Sequence, residues 1–127
     1  MRAVEALQAF ARAQRVPEKM IFGLAVALEE CGSNIVNHAF HRNAANVFQV
    51  TFGKIGDEFI IELRDGGPAF NPAAVPEGKP QAEDDDLPGG WGIQLVRRYT
   101  DEIRYARENN ENVLRLVKKI PTEAGQK

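Results

Sequence analysis

Residues 29–40 read EECGSNIVNHAF, and they close a helical pattern that begins at Pro17. Ile21, Leu24, Ala25, Leu28, Cys31, Ile35 and Ala39 recur at the three- and four-residue spacing of a single helix face. Glu30 and Asn34 then stand one turn apart on the other side, with Cβ atoms roughly 5–6 Å from each other. Asn37 and His38 continue that polar side. A carboxylate able to accept a proton and an amide able to hold a cation are thus presented together. Pro17 suits a helix start, because its φ is already set and its missing N–H would be unpaired there. The helix is expected to run to Phe40, about twenty residues or roughly 30 Å.

Around this helix the chain alternates type. Residues 1–14 form a first amphipathic helix through Val4, Leu7, Phe10 and Ala11. Residues 47–52 and 58–63 are rich in β-branched and aromatic side chains and read as strands joined by a turn at 54–57. Phe59, Ile61 and Leu63 alternate with Ile60, Glu62 and Arg64, giving an apolar face and a mixed face; the mixed face is expected near a ligand. Asp65 ends the strand and RDGGPAFNP follows, where two glycines and a proline break regular structure. Residues 72–88 are proline-rich and acidic, with Glu83, Asp84, Asp85 and Asp86 in a row, a length typical of a lid, a binding loop or plain disorder, of which a lid is the expectation. Gly89, Gly90 and Gly92 then lead into a helix at 93–100, an arrangement that offers backbone N–H groups to an anion. Trp91 between them is a hydrophobic plug or a cover over a ligand. Two further strands, 103–107 and 113–119, turn through 108–112, and 121–127 read as a tail.

The bulk properties exclude several classes. A chain of 127 residues suits a single domain, 43% hydrophobic and 27% charged, and no apolar run approaches a membrane span. A net charge of −2 without a basic cluster argues against direct nucleic-acid binding. The N-terminus lacks the pattern of a secretion signal, so a cytoplasmic home is expected. Cys31 alone cannot form an internal disulfide and lies on the apolar stripe, as a buried hydrophobe would.

Taken in order, EECGSNIVNHAF, DGGPAF and GGWGIQLV resemble the boxes of the GHKL (Bergerat-fold) ATPase superfamily, which includes gyrase, heat-shock chaperone, MutL and histidine-kinase ATP-binding domains. The short chain and its continuation LVRRYTDEIRY look most like the anti-sigma-factor serine/threonine kinases. The resemblance implies a two-layer α/β sandwich over 1–120, with a mixed, mostly antiparallel sheet of about four strands covered on one face by three helices. It also implies ATP and Mg²⁺ as cofactors. Glu30 would be the general base and Asn34 the Mg²⁺ ligand, with Asn37 near phosphate or solvent. Asp65 would accept a hydrogen bond from the adenine amino group, and Gly67 would let backbone approach the base. Gly90, Trp91 and Gly92 would form the phosphate loop beneath a lid at 72–89. The implied partners are a STAS-type anti-anti-sigma protein, which would be phosphorylated, a sigma factor, which would be sequestered, and a second copy in a homodimer.

The chain departs from the pattern at four places. Ala69 stands where the second box ends in glycine, and a positive φ there would be strained. Leu87, Pro88 and Gly89 stand where an arginine commonly meets the γ-phosphate. Glu111 and Asn112 replace Gly-Thr, with Asn112 as the polar support for Asp65. The family's first strand is absent, or its role passes to a neighbouring subunit. Two other readings stay open: a nucleotide- or protein-binding anti-sigma regulator without phosphoryl transfer, and a detached ATPase domain of a histidine kinase.

Overall fold

The computed structural model describes residues 2–36, 48–69, 71 and 89–121, with the side chains of 89–92 excepted. Within these, α1 (Arg2–Ala13), α2 (Glu18–Asn34) and α3 (Gly89–Tyr99) accompany β1 (Gln49–Ile55), β2 (Glu58–Asp65), β3 (Glu102–Glu108) and β4 (Glu111–Lys119). The sheet order is β1-β2-β4-β3. All three pairings are antiparallel, so the mixed component expected of the sheet does not occur among the described strands.

Local chemistry sets the connections. Arg15 at φ 62° ends α1, with Val16 N–H bonded to the Ala11 carbonyl and Arg15 N–H to that of Arg12. That is the Schellman pattern, and the buried Val16 supplies its apolar contact. The β1–β2 turn needs only Gly56 and Asp57, Gly56 taking φ 59°. Asn109 and Asn110, at φ 52° and 65°, make the β3–β4 turn, the two positive values a type I′ hairpin requires. Because this turn consumes only two residues, Asn112 is not in a loop, as 108–112 had suggested, but inside β4.

Strand alternation builds the core. Phe59, Ile61 and Leu63 of β2 and Leu114 and Leu116 of β4 form one cluster with Leu7 and Ala11 of α1, Leu24, Leu28 and Cys31 of α2, and Ile93 and Val96 of α3. The α2–α3 approach is close at Gly23, where an added Cβ would lie 2.5 Å from the Tyr99 ring. The opposite sheet face carries Ile60, Glu62, Arg64 and Arg115. There Arg64 pairs with Glu62, Glu108 and Glu111, and Arg115 bonds Glu62 at 2.8 Å, which holds the Glu62 carboxyl below the usual range. Among the described residues no helix is long and apolar enough to cross a membrane.

Candidate functional site

At the end of the helix-covered face, β2 and β4 place Asp65 directly opposite Asn112. Both are buried, each 4% exposed. A carboxylate taken out of water must be hydrogen-bonded, and Asp65 is: its Oδ1 accepts from Asn112 Nδ2 at 3.0 Å and from Gly67 N–H at 2.9 Å. Asn112 Nδ2 also donates to the Pro68 carbonyl at 2.9 Å, while its Oδ1 accepts from the Tyr105 hydroxyl at 2.5 Å. Arg107, paired with Asn112 across the β3–β4 ladder, donates to the Gly67 carbonyl at 2.7 Å. The 65–69 turn is therefore tied down by Asp65, Asn112 and Arg107, one residue from each of three adjacent strands. Among the described residues both donors to Asp65 fall on Oδ1, so Oδ2 remains an acceptor for a ligand N–H.

Alternation puts Asp65 on the same face as Phe59, Ile61 and Leu63. The mixed face of β2, expected near a ligand, is the one opposite Asp65: Ile60, Glu62 and Arg64 lie across the sheet, under the ion pairs. Ala69 is exposed, and the only non-glycine residues with positive φ among those described are Arg15, Asn109 and Asn110. Alanine in place of glycine therefore strains nothing there.

The second group lies on α2. Asn34 is 2% exposed, so it belongs to the buried side and not to the polar side on which the spacing placed it. Neither its Nδ2 nor its Oδ1 has a partner among the described residues, at a cost of roughly 1–3 kcal/mol for an unsatisfied buried group. Glu30, one turn earlier, is half-buried. Between them Cys31 is buried, and desolvation first, then the Glu30 charge, pushes its thiol up to about 12. That thiol is an inert core residue. Immediately after Asn34 the helix widens into a π-type turn at residues 35 and 36, a local distortion frequent at functional sites.

Gly89, Gly90, Trp91 and Gly92 form the first turn of α3 and not a loop before it. First-turn N–H groups have no intrahelical acceptor, so these residues still present donors at a helix N-terminus. Asn37, His38, residues 72–88 of the lid expected at 72–89 and residues 122–127 of the tail expected at 121–127 lie outside the described residues. Neither described groove is lined by Glu30, Asn34 or Asp65. One, of about 370 Å³, lies on the open sheet face beside Glu62 and Arg115; the other, of about 280 Å³, lies between Met20, Arg98 and Tyr99.

A family model described as a histidine kinase-like ATPase domain matches residues 1–118. The chain belongs to this family. It is similar to the serine/threonine-protein kinase BtrW of Bordetella bronchiseptica, with 29% identity over 112 residues that cover 87% of this chain and 79% of that protein. Its fold is that of a chain in the SiaB–SiaC complex from Pseudomonas aeruginosa, at a TM-score of 0.63 and 15% identity, covering 91% of this chain and 80% of that one.

For a histidine kinase-like ATPase domain, ATP is the implied ligand, usually with Mg²⁺. The residues present fit both. Mg²⁺ takes hard oxygen ligands and is commonly held by few protein groups together with substrate phosphates. The Asn34 amide, unpartnered among the described residues, offers such an oxygen, and no group of three or more His, Cys, Asp or Glu residues among those described forms a cage of its own. Asp65, an acceptor with one oxygen already bonded, fits an amino group and not a carbonyl. Tyr105 and Arg107 were missed by sequence reading. Their only signal is β3 register, which becomes readable once the two-residue Asn-Asn turn is recognised.

Proposed function

We propose that this domain is an ATP-dependent serine/threonine protein kinase that acts as an anti-sigma regulatory factor in the cytoplasm. It would phosphorylate a STAS-type anti-anti-sigma protein and sequester a sigma factor when free of it, as a homodimer. The observation that carries the reading is Asn34: a buried amide with both polar atoms unpaired among the described residues, one helical turn after Glu30, in a chain of this family. Such an amide is a preformed half of a coordination site. Glu30 takes the proton of the attacking hydroxyl as its oxygen bonds the γ-phosphorus; the bond from that phosphorus to the bridging oxygen breaks, and ADP leaves. Asn34 would hold Mg²⁺, which when bound neutralises charge on the phosphates. Asp65 accepts from the adenine amino group, and Gly67 gives the base room. Gly90, Trp91 and Gly92 would meet the phosphates, and the same role falls to Asn37 by the family resemblance alone.

Incubation with Mg²⁺, γ-labelled ATP and a STAS-domain partner should label a serine or threonine on that partner. No label under conditions where ATP is bound removes the kinase claim. The sequence 87–89, Leu-Pro-Gly in place of an arginine, favours a second reading, a nucleotide-binding anti-sigma regulator without transfer. Glu30→Ala separates the two: a kinase loses turnover and keeps ATP, whereas a binder regulates its partner unchanged.

A further inference from the structure

The geometry points to Tyr105 as a positioning residue for purine selection, acting through the Asn112 amide on Asp65; this rests on the reading of Asp65 as the adenine acceptor. The two ends of an asparagine amide have nearly the same shape, so hydrogen bonds alone decide its orientation. On one side of Asn112 stand two acceptors, Asp65 Oδ1 and the Pro68 carbonyl, at 3.0 and 2.9 Å. Only Nδ2 can meet them. The oxygen therefore faces Tyr105, whose hydroxyl donates to it. Donation runs one way, from phenol to amide to carboxylate, and each bond polarises the next.

The phenol is placed for this by the fold. Tyr105 is half-buried, with its ring packed against the core cluster, so its body is anchored apolarly and only its hydroxyl reaches the network. Two residues along the same face of β3, Arg107 grips the Gly67 carbonyl. The strand that carries no nucleotide-binding motif thus holds both the amide that pins Asp65 and the turn that follows it. Removing the phenol oxygen takes that donor from Asn112 Oδ1, while Nδ2 still meets Asp65 Oδ1 and the Pro68 carbonyl; the amide keeps its orientation but loses the polarisation the phenol supplied, so it holds Asp65 more weakly. Discrimination between a 6-amino and a 6-oxo purine is the property that suffers.

The test measures dissociation constants for ADP and IDP, each with Mg²⁺, by calorimetry on the wild type, Tyr105→Phe, Asp65→Asn and the double variant. The wild type should prefer ADP, and Tyr105→Phe should shrink the ADP-to-IDP preference by about fivefold, the scale of one hydrogen bond. In the Asp65→Asn background the same substitution should leave the ratio unchanged, because coupled residues are not additive. A ratio unmoved by Tyr105→Phe, or moved equally in both backgrounds, overturns the proposal, and an equal loss for both nucleotides assigns Tyr105 a structural role only. A wild type that does not distinguish ADP from IDP sinks the Asp65 reading itself, before any variant is made. Should Tyr105→Phe not fold, the wild-type Asn112 amide protons still report: protection from solvent exchange is expected by NMR, and exchange as fast as in an exposed asparagine overturns the lock.

Discussion

The two polar centres of this domain are built in opposite ways. At the β2–β4 end, Asp65 and Asn112 are buried, with their bonds supplied from within: Gly67, Pro68 and Tyr105 close the network. At the C-terminal end of α2, Asn34 is equally buried and has no partner for either polar atom among the described residues. The first centre stabilises the fold as it stands. The second costs stability and is the sort of feature retained for binding, since functional groups are commonly kept at the expense of the folded state.

That contrast can be broken by experiment. The largest effect should come from Glu30→Gln, which removes the proposed proton acceptor beside Asn34: the proposed phosphoryl transfer to a STAS-type partner should fall at least ~100-fold, with MgATP affinity within about twofold. A comparable loss of affinity in calorimetry would show that Glu30 binds and does not catalyse. Next, Asn112→Leu should destabilise the nucleotide-free protein by about 2–3 kcal/mol, because it takes one of two donors from the buried Asp65 carboxylate and the acceptor from the Tyr105 phenol. Urea denaturation measures it, and a neutral result means the network contributes nothing to folding. Asn34→Leu should act in the reverse direction, raising nucleotide-free stability by about 1 kcal/mol as an unsatisfied amide is removed, while abolishing the rise in melting temperature on adding MgATP. If Asn34→Leu destabilises as Asn112→Leu does, the two centres are alike and the contrast fails.

The smallest effect concerns the turn between Glu30 and Asn34. The Cys31 thiol ionises near 9 when unfolded and at about 12 when folded. Between these values the folded state holds the extra proton, so its contribution is fully present below pH 9 and is lost as pH rises towards 12. Relative to a Cys31→Ala variant, the wild type should lose about 1 kcal/mol of stability between pH 8 and pH 10. Equal pH profiles would mean that water reaches this side of α2.

Most elements and several candidate residues were readable in advance, for identifiable reasons. The stripe from Ile21 to Ile35 has helical period, and Phe59, Ile61 and Leu63 have period two, so α2 and β2 follow from spacing. Asp65 and Asn112 were named as partners, and they bond. Asn34 was placed on the wrong side of α2, because a polar residue at that spacing looks solvent-facing and only packing reveals its burial. Which face of β2 carries Asp65 towards the helices was not readable either: alternation separates two faces but does not say which one the helices cover. The glycine run 89–92 was taken for a loop, since helix propensity penalises glycine by about 1 kcal/mol per residue, yet it forms the first turn of α3.

Local chemistry written in the chain accounts for the helices, the strands, the asparagine turn and the family, because each depends on residues close to one another or on motifs in a set order. The joining of Tyr105, Asn112 and Asp65, and the burial of Asn34 without a partner among the described residues, were settled by packing and register. The Asn112–Asp65 bond joins residues 47 apart, and a hydrogen bond across such a distance exists only once the sheet has chosen its order.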